Sequence, residues 1–362
     1  MLRPLAQPQP VVSSYTEWDP LEEVVVGVVD HACIPAWDVA LQATMPESQW
    51  QFFIDNGGKP FPDAMIQAAR KDLEGFVRLL ESEGVTVRRP EVVDYRRPYS
   101  TPDWKCGTGL YSAMPRDILL VVGDEIIEAP VSWRSRHHEI DAYRPLLRDY
   151  FLRGARWTSA PKPLLRDDLY KADYEERPVG EEPDEPLYVV NEVEPIFDAA
   201  DFVRCGRDLF VQKSHVTNDL GIEWLRRHLG SGYRIHVVPV RDPHAMHIDA
   251  TLMPLAPGKV LVNPERLPKI PELFRSWDVL TAPAPSSASD FALCSSWISM
   301  NVLMLDETRV IVEPNEEELI RCFKKWGFET IPCPFRNFNL FGGSFHCATL
   351  DVRRRGELRS YF

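Results

Sequence analysis

The residue type in this chain best able to attack an electrophile is a cysteine, and one of them sits in unusual company. Cys347 lies in the stretch Phe341-Gly-Gly-Ser-Phe-His-Cys347-Ala-Thr-Leu-Asp-Val352. Two adjacent glycines let backbone approach backbone or ligand more closely than any Cβ permits. A His-Cys pair then opens an apolar run that reads as a strand. As a thiolate, Cys347 would be a nucleophile, provided that another segment brings an imidazole to it. The competing reading is a core cysteine, since unpaired cysteines are among the most buried residue types.

Three other places put polar residues where an apolar strand would otherwise run. They are Phe197-Asp198-Ala-Ala-Asp201-Phe202, Met246-His247-Ile-Asp249-Ala-Thr251 and Pro115-Arg116-Asp117. Aspartate is disfavoured on strands, so Asp198 is either a turn residue or a functional one. Strand alternation puts His247 and Asp249 on one face, which suits a proton shuttle beside a cation and equally a locally paired core histidine. Taken alone, Pro115-Arg116-Asp117 reads as a turn with solvated charges. A cysteine, a histidine and several aspartates together fit a guanidinium, which carboxylates hold through paired, charge-assisted hydrogen bonds. Such acids oppose a free thiolate, and a bound cation offsets them, so the thiolate is expected only with substrate present.

Elements must carry these residues to one place. Val24 to Val29 reads as a buried strand, followed by a helix between Pro62 and Gly84 with Ile66, Ala69, Leu73, Phe76, Val77 and Leu80 on one face, and by strand Val85 to Val87. The order hairpin, helix, strand then recurs. Ile118 to Ala129 turns at Gly123, with a helix over Glu139 to Leu152 disturbed by Pro145. Ile196 to Gln212 turns at Gly206, with a helix over Asn218 to Leu229 and strand Tyr233 to Val240. His247 to Val262 turns at Pro257-Gly258, with a short helix near Pro271 to Trp277 and strand Val279 to Ala282. Asn301 to Glu313 precedes a helix opened by Asn315 and Glu318 at capping-box spacing, then strand Phe328 to Ile331. Five such units predict radial repetition, an α/β-propeller, with a single open mixed sheet as the alternative.

Composition narrows the classes. The 362 residues carry 44% hydrophobic and 26% charged side chains and a formal net charge of −13, which is ordinary for a globular enzyme and argues against nucleic acid or an anionic membrane as partner. Arg353-Arg354-Arg355 reads as a solvated turn. The seven cysteines are scattered with no C-x-x-C, which excludes a zinc-site spacing and a disulfide framework and fits a reducing cytoplasm. No phosphate-cradling glycine motif is present, so cofactor-free covalent chemistry, with neither metal nor nucleotide, is expected. Residues 1–14 read as a disordered arm, Lys171 to Pro186 as an acidic surface loop, and 15–362 as one catalytic domain.

The motifs carry a resemblance over nearly the whole chain. Ala113-Met-Pro-Arg-Asp117, Phe197-Asp-Ala-Ala-Asp201, Met246-His-Ile-Asp-Ala-Thr251, Ser299-Met-Asn-Val-Leu-Met-Leu-Asp306 and Gly342-Gly-Ser-Phe-His-Cys347 resemble the amidinotransferases that act on glycine, on inosamine phosphates and on lysine. The resemblance implies the five-bladed α/β-propeller of ββαβ units of the guanidine-modifying (pentein) superfamily. It implies an L-arginine:amine amidinotransferase with ping-pong kinetics. Cys347 would be the nucleophile, His247 the acid/base and Asp198 its carboxylate. Asp117 and Asp249 would hold the guanidinium, Arg266 the donor's α-carboxylate, and Ser295 would touch substrate. Met246 matches the glycine enzyme, whereas Cys294 replaces a serine and His244 an asparagine. The bulk of His244 and Met246 favours a slender acceptor, lysine or glycine. The alternatives are an inosamine-phosphate acceptor, a deiminase-type hydrolase and a non-catalytic arginine-binding protein. A homodimer is a further implication.

Overall fold

The computed structural model describes residues 10–174, 187–286, 293 and 295–362. Strand β1 (Leu21–Val26) leads through α1 (Val39–Thr44), α2 (Glu47–Asn56) and the long α3 (Asp63–Ser82) to β2 (Thr86–Arg88). Helix α3 buries Ile66, Ala69, Leu73, Phe76 and Leu80, the stripe that the three- and four-residue spacing predicts. A small hairpin, β3 (Tyr99–Ser100) and β4 (Lys105–Cys106), precedes the second unit. That unit holds a single turn α4 (Pro115–Ile118), then β5 (Leu119–Val122), β6 (Glu125–Glu128), α5 (Arg144–Leu152) and β7 (Arg156–Ser159). Helix α5 starts with Pro145 in its first turn, after a 3-10 segment Glu139–Tyr143, so the proline splits the expected helix in two.

The third unit is β8 (Phe202–Cys205), β9 (Asp208–Val211), α6 (Asp219–Leu229) and β10 (Arg234–Val237). Asn218 caps α6 by accepting from the Gly221 N–H at 2.9 Å. The fourth is β11 (Leu252–Ala256), β12 (Lys259–Val262), a 3-10 turn Glu272–Ser276 and β13 (Asp278–Thr281). The fifth is β14 (Leu303–Met304), β15 (Arg309–Val312), α7 (Glu317–Lys325) and β16 (Glu329–Pro332). The expected capping box does not form, because Asn315 donates instead to Glu313, from its backbone at 2.7 Å and its side chain at 2.8 Å. A short α8 (Arg336–Asn339) and β17 (Thr349–Arg354) end the chain.

Five separate three-stranded sheets result, which excludes the single open sheet. In each, the first two strands are antiparallel and the third, returning after the helix or turn, is parallel to the second. The first unit obtains its first strand from the far end of the chain, since β17 pairs antiparallel with β1 (Val24 opposite Asp351, Val26 opposite Thr349) and β2 lies parallel on the other side. First strands are buried and third strands largely exposed. The turn at Gly206 needs its glycine: φ is +71° and a Cβ would lie 2.2 Å from the Arg359 carbonyl oxygen.

Where the first strands meet, the interior is charged. Arg204 grips Glu17 through Nε at 2.8 Å and Nη2 at 2.7 Å and reaches Asp351 at 2.8 Å. Arg116 bonds Asp351 at 2.7 Å, and so does Arg354 at 2.8 Å. Arg354 also donates to the Met304 carbonyl of the fifth unit. The solvated-turn reading is therefore corrected for Arg116 and Arg354, while Arg355, exposed in the bend after β17, keeps it. Arg354 is 1% exposed on β17 and Arg116 is buried, because Asp351 supplies the countercharge that a local reading of the basic run leaves out. Burial alone would raise the Asp351 carboxyl, but Arg116, Arg354 and Arg204 hold it well below the usual range. Removing one partner strands buried charge, so Arg204→Met is expected to cost about 3–5 kcal/mol, read as a lower midpoint in denaturant unfolding.

The arm reading also changes. Residues 1–9 lie outside the described residues, but Val12 is buried, Ser13 N–H donates to Val352 and Ser14 N–H to Gly123. These contacts begin the ordered chain before residue 15. Of the acidic loop, residues 175–186 lie outside the described residues, as does Cys294. No described helix is long and apolar enough to cross a membrane.

Candidate active site

Each unit offers polar side chains at one equivalent place, the turn just before its first, innermost strand. Asp117 lies in α4 just before β5, Asp198 precedes β8, His247 and Asp249 precede β11, Asn301 precedes β14, and Cys347 precedes β17. The strand reading of His247 and Asp249 is corrected here, whereas Asp198 falls at a turn, one of the two readings open for it. Asp198 introduces a 3-10 turn Ala199–Asp201, and His247, at φ +60°, introduces another over Ile248–Ala250. A non-glycine residue in the left-handed region is strained, and here the strain accompanies an imidazole turned toward Asp198.

Cys347 is set by packing behind it. Phe76 of α3 meets Phe345 at 5.2 Å, and Phe345 stacks on Phe335 at 4.5 Å. A Cβ on Gly343 would lie 2.6 Å from Met114 Sδ and 2.7 Å from Cys347 Cβ, so only glycine allows this turn. Asn301 clamps it: its Oδ1 accepts from the Ser344 and Cys347 N–H groups, both at 3.1 Å. Its Nδ2 reaches Asp249 at 2.6 Å and the Cys347 sulfur at 3.0 Å, and that sulfur is 3.3 Å from Asp249 Oδ2.

His247 Nε2 lies 3.1 Å from Asp198 Oδ2, and Nδ1 is 3.7 Å from Asp117 Oδ1. Behind these acids is Arg136, which sequence reasoning missed. It is 3.0 Å from Asp117 Oδ2, 2.9 Å from Glu139 and 3.4 Å from Asp198. With Oδ2 taken up by Arg136, Asp117 Oδ1 is buried without a hydrogen bond, a free acceptor for a cation. Arg136, in the 3-10 segment Arg134–Arg136, sits in no pattern that marks it, and Asn301 lies within the Ser299–Asp306 motif with nothing in its spacing to give it a role.

The field at the site follows from this inventory. Burial would depress the His247 pKa, but Asp117, Asp198 and Asp201 outweigh it and raise it to about 10. Burial, then Asp249 and Asp117, push the Cys347 thiol well above its ordinary value. Burial also raises Asp117, with Asp198 and Asp249 adding to it against His247 and Arg136. At neutral pH these acids thus favour a thiol beside an imidazolium, and a cation between Asp117 and Asp249 would offset the charges that oppose the thiolate.

These groups line a cavity of about 270 Å³, with His244, Met246, Arg266, Ser295 and the Thr44–Gln49 stretch on other walls. An Asx turn, with Asn263 Oδ1 accepting from the Glu265 N–H at 2.9 Å, sets Arg266. Its guanidinium meets Asp242 at 3.0 Å and Ser295 Oγ at 3.2 Å. Asp242 also accepts from the His244 N–H at 2.9 Å, and the His244 ring lies 3.3 Å from the Ala43 carbonyl oxygen. Of the described residues that the sequence nominated, all but Asp198 line this cavity, and Asp198 stands behind His247. Among the described residues, Asp117, His247 and Cys347 also form a set spaced for a metal ion, their ligand-type atoms within 4.8 Å of one another.

Five ββαβ units closed by the last strand are the fold of the pentein superfamily. No protein-family model matches the chain. It is 56% identical over 352 residues to L-arginine:L-lysine amidinotransferase of Pseudomonas savastanoi pv. phaseolicola, spanning 97% of this chain and 96% of that protein. It is 50% identical to the mitochondrial glycine amidinotransferase of Danio rerio, over 99% of this chain and 86% of that one. Among solved structures, SxtG, an amidinotransferase of the saxitoxin biosynthetic pathway from Microseira wollei, superposes with a TM-score of 0.93 at 53% identity, covering 97% of this chain and 99% of that one. The chain belongs to the amidinotransferase family.

Proposed function

We propose that this protein transfers the amidino group of L-arginine to the primary amine of lysine or glycine, releasing ornithine. The observation that carries the mechanism is the convergence on one cavity of Cys347, the His247–Asp198 pair, and Asp117 and Asp249. Arginine's guanidinium lies between Asp117 and Asp249, and Arg266 takes its α-carboxylate. With the guanidinium bound, the Cys347 thiol gives its proton up to solvent and the resulting thiolate attacks the guanidinium carbon. His247 protonates the departing nitrogen, ornithine leaves, and an amidino group remains as a cationic thioester-like adduct on sulfur. The acceptor enters, gives a proton to the now neutral His247, and its amine displaces sulfur. Asp198 holds Nε2 so that Nδ1 faces the reacting atoms. Ser295 lines the donor wall; His244 and Met246 narrow the acceptor's approach. The names of the relatives support lysine or glycine as acceptor.

The test is incubation with arginine and each amine. Sustained ornithine release only when an acceptor is present, with homoarginine or guanidinoacetate by mass spectrometry, is the expected result. Citrulline and ammonia would instead mean that water takes the amidino carbon, and the transferase reading would fall.

A further inference from the structure

The histidine next to the proposed nucleophile does not face the cavity. His346 is 1% exposed. Its Nδ1 is 2.9 Å from Asp249 Oδ2 and its Nε2 is 3.2 Å from Glu17 Oε2. Asp249 is the carboxylate beside the Cys347 sulfur, and Glu17 is the one that Arg204 grips in the central ion network. One imidazole therefore joins the thiol's neighbour to the charged centre of the fold. Carboxylate oxygens accept and do not donate, so both contacts are made at once only by a ring carrying a proton on each nitrogen.

The ring has little freedom. Arg116 Nε donates to the His346 carbonyl at 2.7 Å, and the clamp by Asn301 on Ser344 and Cys347 brackets the residue on both sides. Asp249 Oδ2 thereby meets Asn301, His346 and Cys347 together, while Oδ1 makes no hydrogen bond among the described residues. Burial would raise the Asp249 carboxyl, yet His346 and then His247 hold it below its usual range.

We propose that His346, as an imidazolium, is a positioning residue for amidino transfer: it fixes Asp249 with one oxygen on the sulfur side and the other free for substrate. Its charge also offsets the carboxylate that would otherwise oppose a thiolate 3.3 Å away. Glu17 holds the ring from behind. This rests on the reading of Cys347 as nucleophile and extends it to a histidine that never touches substrate.

Two substitutions separate the contacts. The amide nitrogen in His346→Asn falls near Nδ1 and keeps the donor to Asp249; that in His346→Gln falls near Nε2 and keeps the donor to Glu17. The readouts are the single-turnover ornithine burst with arginine alone, the rate of Cys347 alkylation by iodoacetamide, and the thermal midpoint. His346→Gln is expected to lose about 10- to 100-fold more of the burst than His346→Asn, with the two midpoints alike. Equal losses that track the midpoints would reduce His346 to a structural role and overturn the proposal. The unmodified protein gives a check independent of folding. Nitrogen-15 shifts of the His346 ring at neutral pH should show both nitrogens protonated, and a neutral ring would overturn it as well. If the unmodified protein forms no adduct on Cys347 with arginine, it is the nucleophile reading that fails, and this inference with it.

Discussion

Cys347→Ala is expected to fold, to bind arginine, and to lose turnover by about 10⁴-fold or more, the scale seen when the attacking group of a catalytic set is removed. The sulfur is the strongest nucleophile of the set once ionised and also leaves readily when the second amine attacks. Asn301 and Asp249 hold it, and His247 moves the proton. Alanine keeps the Cβ against Gly343 and leaves the Phe76–Phe345–Phe335 packing untouched, so the thermal midpoint should hardly move. Intact mass after exposure to arginine alone checks the point directly. The natural protein should gain one amidino group, mapped to Cys347, with one equivalent of ornithine released, and the alanine variant should gain nothing. Turnover surviving the substitution would mean that the acceptor attacks arginine itself in a ternary complex, and the covalent route would be wrong.

Much of this arrangement is visible in the amino-acid order, and the parts that are not share a cause. Helix α3 is legible because Ile66, Leu73, Phe76 and Leu80 repeat at the helical period. The hairpin turns are legible because Gly123, Gly206 and Gly258 punctuate apolar runs. The site residues show themselves as polar groups interrupting apolar segments, but the shape inferred for them is wrong. His247 and Asp249 share a side because both sit in one tight turn before β11, and not because a strand alternates. Pairing of β17 with β1 spans almost the whole chain, and no local pattern encodes a partner that distant. The roles of Asn301 and His346 are illegible for the same reason: each acquires its meaning from carboxylates or a thiol brought up by another unit, as Arg136 does in part from Asp198. Arg354 is misread from its basic neighbours because its neutralising partner, Asp351, lies three residues back on a strand that the core buries on both faces. The resemblance supplied residue roles that spacing alone leaves open between structural and chemical readings.

The histidine's charge makes a second, separable prediction, in activity and in stability. Removing the shuttle in His247→Asn should slow ornithine release in the first half-reaction by about 10²–10⁴-fold, because the leaving amine then departs without a proton. The imidazolium is also a structural cation among Asp117, Asp198 and Asp201. Its folded pKa, about 10, stands above the unfolded value of about 6.5. A raised histidine pKa contributes stability that is fully present below the unfolded pKa and is lost as pH rises through the folded one. The gap in thermal midpoint between the natural protein and His247→Asn should therefore be widest near pH 6, on the order of a few kcal/mol in stability, and close as pH approaches 10. Asp198→Asn should narrow that gap at low pH while keeping the ring in place, because the amide no longer supplies the charge that Nε2 faces at 3.1 Å. A His247→Asn midpoint that runs parallel to the natural protein's across this whole range would mean that the ring is neutral in the fold. The acid that releases ornithine would then have to be sought elsewhere in the cavity.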